Sequence, residues 1–204
     1  MFKVGDKVFY PMHGAGSIKE ITNRTIENET YSYYTIEMPG EVKVFVPTAK
    51  AEEIGVRNII DKETAGKVIN VLEQDSTEMS MKWNKRYRDN VEKLKTGDAF
   101  EVADIVRNLS FKQKEKGLST TEKKMLNNAK QILVSELVLS EEMEQKEVEE
   151  LVENKINTSY ELHIATVSEE LPKVVGIPND VTTSNSIVKK FIPSTAVSDN
   201  NENN

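Results

Sequence analysis

The 204-residue sequence predicts a two-domain β + α protein, in which a small N-terminal β-barrel is followed by an all-α helical domain and a disordered C-terminal tail. Three observations lead to this prediction. Short β-type segments fill the first quarter of the chain, apolar residues recur with the helical period from about Asp61, and the composition becomes polar from Asn157 onwards. We therefore place the barrel at residues 1–56, the helical domain at residues 61–155 and the tail at residues 157–204.

Short strands separated by turn residues fill the N-terminal segment. Val4–Tyr10 is typical of a strand that Pro11 ends, and Tyr31–Met38 is rich in aromatic and β-branched residues. A turn signal at Pro39-Gly40 precedes Val42–Val46, where valine alternates with lysine and phenylalanine in the period of a half-buried strand. Four or five such strands in so few residues bury their apolar faces only by curling into a small barrel.

The apolar spacing changes to that of amphipathic helices from about Asp61. One stripe at helical spacing contains Ala65, Val68, Ile69 and Leu72. A second helix is predicted to end at Gly97, and Ser119–Glu122 forms a capping box that opens a longer helix. We expect that helix to reach about Leu139 and a Glu-rich helix to follow it over Ser140–Asn154.

The segment from Asn157 to Asn204 mixes Ser, Thr, Asn and Pro with scattered Val and Ile and has no sustained period. Such a segment buries too little apolar surface to offset the entropy lost on ordering, so we expect it to be disordered and dispensable for folding. Two patches within it, His163–Val167 and Ser186–Ile192, are candidates for transient strands or peptide motifs.

Composition excludes several classes of protein. Cysteine is absent, which excludes disulfides, thiolate catalysis and cysteine-ligated zinc. No apolar run approaches the roughly 20 residues needed to cross a bilayer. The N-terminal residues lack the positive stretch and apolar core of a signal peptide, so we expect a cytoplasmic protein with no membrane partner.

The net charge of −7 hides a strong asymmetry along the chain. Between Lys82 and Lys130 there are 13 Lys and Arg residues against 7 Asp and Glu residues, whereas Glu141–Glu153 holds 7 Glu residues against the single Lys146. Contacts with phosphate depend on the local field within about one Debye length, roughly 8–10 Å. The basic middle of the chain can therefore contact DNA although the whole chain is acidic.

Three stretches carry motifs that occur together in one family: Phe2–Gly16, Trp83–Asn90 and Lys116–Leu126. The first resembles the opening of CarD-type bacterial transcription regulators, a module that also serves as the polymerase-binding domain of transcription-repair coupling factor. The other two resemble the signature stretches of the CarD helical domain. The resemblance spans about residues 1–155 and leaves the tail outside it.

The resemblance implies a Tudor-like (SH3-like) barrel bound to the RNA polymerase β subunit. It also implies a helical domain against promoter DNA at the upstream edge of the transcription bubble, largely without reading sequence. There the family's characteristic tryptophan wedges into the distorted minor groove and slows bubble collapse. Trp83 aligns with that tryptophan. The basic positions around the DNA face are Lys85, Arg86, Arg88 and Lys123.

The resemblance also identifies a polymerase-binding surface. Arg24 aligns with an interface arginine, and Phe45 stands where family members have a second interface arginine. An exposed edge strand at Lys43–Pro47, which includes Val44 and Phe45, offers unpaired backbone groups that can extend a partner's sheet. Phe45 is either a barrel core residue or an exposed interface anchor, depending on which face of the strand holds Val44 and Val46.

Two other classes of function remain open on the residues alone. An enzyme has little support, because we find no nucleophile–base pair, metal-ligand cluster or nucleotide fingerprint and expect no cofactor; His13 is expected to make a structural hydrogen bond. A protein-interaction adaptor would use the barrel edge strand and never touch DNA. Trp83 discriminates between the adaptor and the promoter regulator: its burial favours the adaptor, and its exposure on a positive face favours contact with DNA.

Overall fold

The computed structural model describes residues 1–170, and Met1–Glu169 form one compact unit. The predicted tail beyond Glu170, including the Ser186–Ile192 patch, lies outside the described residues. No helix within the described part of the chain is long and apolar enough to cross a membrane.

The N-terminal region is a five-stranded antiparallel sheet, which confirms the predicted β half of the fold. Its strands are β1 (Lys7–Tyr10), β2 (Gly14–Ile26), β3 (Glu29–Glu37), β4 (Lys43–Pro47) and β5 (Arg57–Asn58). The strand order is β4-β3-β2-β1-β5, so β4 lies at one edge of the sheet and β5 at the other. Since β5 pairs with β1, the sheet extends slightly past the predicted boundary at residue 56.

The sheet bends around a small core of its own, consistent with a Tudor-like domain. The buried residues of this core are Val8, Ile18, Tyr34, Ile36, Met38, Val46, Ala51 and Val56. The register between β2 and β3 shifts between Ile18 and Glu20, an irregularity that increases the local twist. Both strands continue to a turn at Glu27 and Asn28, whose φ angles of 52° and 67° suit a two-residue hairpin turn.

Five helices follow within the described residues: α1 (Lys62–Leu72), α2 (Trp83–Thr96), α3 (Ala99–Lys116), α4 (Thr120–Glu141) and α5 (Gln145–Glu170). The predicted capping box between Ser119 and Glu122 is present at the start of α4. Gly97 ends α2 in the left-handed conformation, as predicted.

A second, larger core joins the helices to the sheet. Phe9 of β1 and Ala15 of β2 belong to it together with buried residues of all five helices. Ala15 N donates to Ser135 Oγ of α4 (2.8 Å), and Arg57 of β5 forms an ion pair with the buried Glu136 of the same helix (2.5 Å). The sheet therefore packs on α4.

Helix α5 continues through residues 157–170, which the sequence pattern assigned to the disordered tail, and this corrects that assignment for these residues. Ser159 is buried and donates to Gln74 O (2.8 Å), and the rings of Tyr160 and His163 lie 5.2 and 5.7 Å from that of Phe111. The side chains that hold this part of α5 against the rest of the protein are polar or aromatic rather than aliphatic. No apolar stripe therefore predicts this part of the helix from the sequence.

Candidate nucleic-acid and protein interfaces

Trp83 is the first residue of α2 and is 45% exposed. Its indole stacks on the ring of Tyr87 one turn later, with the ring centroids 6.0 Å apart and the planes 19° from parallel. Tyr87 is half-buried and packs against the helical core. The indole is therefore supported by Tyr87 while nearly half of its residue surface faces solvent.

Exposed cations lie within five residues of Trp83 on α2 and at the start of α4, which contacts α2 through the Arg86–Glu122 ion pair. Lys85 and Arg88 are exposed on α2, and Lys123 is exposed in the first turns of α4. Within residues 1–166, none of the side chains of Lys85, Arg88 and Lys123 forms an ion pair or a hydrogen bond with another residue. Lys82 and Lys124 are also exposed. These side chains can reach an anionic partner without first breaking an internal contact.

Arg86 is only 8% exposed, which corrects the prediction that it faces DNA. Its Nε and Nη2 donate to Glu122 Oε1 at 2.9 and 2.6 Å, and its Nη1 donates to Ser80 O at 2.7 Å. Arg86, Asn90 and Leu94 form the buried stripe of α2 at intervals of four residues. That spacing is visible in the sequence and was the signal that could have placed Arg86 inside.

Glu122 is 3% exposed, and both oxygens of its carboxylate accept hydrogen bonds. Its Oε2 accepts from Ser119 N (3.1 Å), Ser119 Oγ (2.9 Å) and Lys112 Nζ (3.3 Å). Burial by itself raises the pKa of Glu122, but the hydrogen bonds from Arg86 and Ser119 outweigh it and lower the pKa to about 2. The sequence predicted this residue as a cap but missed its pairing with Arg86.

A second arginine of the basic segment is also internal. Arg107 of α3 is fully buried, donates to Val71 O at the end of α1 (2.9 Å) and pairs with Asp104. Arg86 and Arg107 are therefore both buried and paired inside the protein, and neither is available to bind a partner.

Arg24 and Phe45 come together on the outer face of the sheet. The Arg24 guanidinium carbon lies 4.4 Å from the Phe45 ring centroid and 5.7 Å from that of Tyr33, within the range of cation–π contact. Phe45 is 44% exposed. Phe45 is therefore an exposed residue of this surface and not a core residue.

Val44 lies on the opposite face of β4 from Phe45. Its half-buried side chain packs against the core of the sheet, next to the fully buried Val46. The side chain of Val44 therefore faces the core. Its assignment to the polymerase-binding surface rests on the backbone of β4 and stays a prediction. Among the described residues β4 pairs only with β3, so its other edge is open.

Comparison with known proteins finds one matching family for the sheet and another for the helices. The family described as CarD-like/TRCF RID domain matches residues 2–60, and the family described as CarD, C-terminal domain matches residues 67–153. Neither is a known enzyme family. The chain is also 36% identical over 149 residues to the protein described as "Putative transcription factor YdeB" of Bacillus subtilis (strain 168), an alignment that covers 72% of this chain and 97% of the relative. The chain therefore belongs to the CarD family of RNA-polymerase-binding transcription regulators.

Proposed function

We propose that this regulator docks on the β subunit of RNA polymerase in the cytoplasm and stabilises the open promoter complex through Trp83 and the cations around it. One observation carries this proposal. A tryptophan that is supported by Tyr87 and nearly half exposed stands at the start of a helix, with unpaired cations on both α2 and α4. The exposure of Trp83 favours contact with DNA over the adaptor, for which we expected a buried tryptophan.

The physical basis is a difference between two states of DNA. Inserting an apolar wedge between stacked base pairs costs a few kcal/mol in an intact duplex. At the edge of an opened bubble the stacking is already broken, so the same insertion costs much less. Lys85, Arg88 and Lys123 would neutralise nearby phosphates without reading sequence. Binding of this kind slows the closing of the bubble at any promoter with a suitable edge.

We assign polymerase docking to the sheet, with the barrel at residues 1–56 and the DNA-contacting helices at residues 61–155. The open edge of β4 offers backbone groups to a strand of the partner. Arg24 and Phe45 would flank that strand with a guanidinium and an exposed ring. Because Phe45 replaces a second arginine of the family, this contact would depend less on charge and more on buried apolar area.

The test is the lifetime of open promoter complexes. Complexes formed by purified RNA polymerase holoenzyme are challenged with heparin in the presence and absence of the full chain. We expect the protein to slow their decay and to co-elute with the β-subunit lobe. The Arg24→Glu variant is the matched control, since it should lose both effects together. Unchanged decay in the presence of polymerase-bound protein would refute DNA stabilisation and favour the adaptor.

A further inference from the structure

The N-terminus of α2 lacks the local support that other helices of the chain have. Asp61, Asp98 and Ser119 cap α1, α3 and α4 through side-chain hydrogen bonds. The N-cap of α2 is Lys82, which makes no such bond and places a cation at the positive end of the helix dipole. An uncapped first turn leaves backbone donors unsatisfied and tends to fray. Trp83 lies in that turn.

Arg86 supplies a different support from one turn further along α2. Its Nη1 holds the carbonyl oxygen of Ser80 at 2.7 Å and approaches that of Met81 at 3.4 Å. Both carbonyls belong to the segment that enters α2. The guanidinium therefore ties the incoming chain to the body of the helix across the turn that carries Trp83.

The Nε and Nη2 atoms of the Arg86 guanidinium bind Glu122, which is itself held in place. Glu122 Oε1 accepts from both Nε and Nη2 of Arg86, while its second oxygen is held by Ser119 and Lys112. Glu122 is part of the capping box of α4, so its position is set by that helix. Lys123, one of the unpaired cations, follows it directly in the chain.

The burial of this ion pair is informative because burial of charge is costly. Apolar residues of similar volume often stabilise a protein as much as a buried ion pair does, or more. What an arginine and a glutamate add is geometry, since the planar guanidinium fixes several acceptors at defined angles. Here the acceptors are the chain before Trp83 and the helix that carries Lys123.

We propose that Arg86 and Glu122 are positioning residues for Trp83. They hold the first turn of α2 so that the indole keeps its place on Tyr87 and its spacing from Lys123. The consequence for promoters rests on the proposed function, whereas the positioning itself can be measured without DNA.

The single tryptophan makes this measurement direct, because all tryptophan fluorescence comes from Trp83. The anisotropy decay and acrylamide quenching of the full-length parent are compared with those of Arg86→Met and Glu122→Gln. We expect both variants to gain a fast component, in the picosecond-to-nanosecond range of a released side chain, and to quench more readily. Arg86→Lys keeps the positive charge but lacks the planar guanidinium that binds several acceptors at once. It should therefore restore the parent behaviour only in part.

Arg107→Met is the matched control, since Arg107 is a buried, ion-paired arginine that joins α3 to the end of α1. It should lower the melting temperature and leave the anisotropy of Trp83 unchanged. If Arg86→Met behaves in the same way, the Arg86–Glu122 pair is structural only and the proposal is overturned. Should Arg86→Met fail to fold, the isosteric Glu122→Gln decides by the same criterion.

Heparin-challenged promoter decay separates this proposal from the proposed function. Trp83→Ala, Arg86→Met and their double variant should shorten the open complex to the same extent, because a released wedge and a missing wedge are equivalent. Additive shortening in the double variant would show that Arg86 acts independently of Trp83 and would overturn the positioning role. Faster motion of Trp83 in Arg86→Met, with no effect of Trp83→Ala on decay, would support positioning and refute the wedge function.

Discussion

Trp83→Ala is expected to shorten the lifetime of open promoter complexes while leaving most of the fold intact. Trp83 is 45% exposed, so truncation removes only part of the contact that a core tryptophan makes. Core Trp→Ala changes cost about 3–5 kcal/mol of stability, and loss of the partly buried ring should cost about 1–2 kcal/mol. Loss of an aromatic–base stack is worth about 1–3 kcal/mol, or roughly 5- to 150-fold in a dissociation rate.

The assay pairs thermal melting of the variant with heparin-challenged decay of promoter complexes. Phe100→Ala is a matched control, because Phe100 is also an exposed aromatic residue in the first turn of a helix, α3, at 39% exposure. Phe100→Ala should have a comparable effect on melting and none on decay. Both variants should bind polymerase as the parent does.

Two results would contradict this reasoning in different ways. A well-folded Trp83→Ala variant with unchanged decay would eliminate the wedge and make the adaptor the better explanation. A loss of about 3–5 kcal/mol together with much of the helical signal would instead identify Trp83 as a core residue.

Contacts of the sheet, of Glu122 and of α5 can each be tested by substitution, acid melting or truncation. Arg24→Glu should weaken polymerase binding by reversing a charge and breaking the contact with Phe45; pull-down at the parent level would contradict this surface. The pKa of Glu122 is lowered from 4.5 to about 2, so its ionised form should add at most about 3 kcal/mol to the free energy of unfolding above pH 4.5. This contribution should be lost as the pH falls towards 2. Acid melts of Glu122→Gln should be correspondingly flatter, and a parallel fall in the two proteins would refute this. A chain ending after residue 170 should melt like the parent, whereas one ending after residue 157 should melt earlier because it loses Tyr160; equal melting temperatures would show that the last turns of α5 add nothing.

Local signals in the sequence predicted the elements of the fold well. The capping box at Ser119–Glu122 and the stop at Gly97 are set by the chemistry of a few adjacent residues, so they could be identified without tertiary information. The alternation in β4 likewise predicted that Val44 and Val46 share a face. It could not tell which face is inside, because that depends on how the sheet curves around Tyr34 and Ile36.

Features that depend on distant partners could not be predicted in this way. Arginine is rarely buried unless it is paired, and the partner of Arg86 lies 36 residues away in sequence. The last turns of α5 are held by contacts of Tyr160 and His163 with Phe111, about fifty residues earlier in the chain. The helical spacing of Arg86, Asn90 and Leu94 indicates which face of α2 is buried, but it does not identify Glu122 as the partner. No helical period indicates the contacts of Tyr160 and His163.

Substitutions of the two arginines of α2, Arg86 and Arg88, should have different effects on the salt dependence of DNA binding. Residues two apart on a helix point about 200° away from each other, so Arg88 faces solvent when Arg86 faces the core. If Lys85, Arg88 and Lys123 each neutralise one phosphate, duplex binding should fall with a log–log salt slope of roughly −3. Arg88→Ala should reduce the magnitude of this slope by about 1, whereas Arg86→Met should weaken the action on promoters and leave the slope unchanged. A change of slope in Arg86→Met would mean that its guanidinium reaches phosphate after all, and a slope near zero in the parent would indicate direct readout of bases.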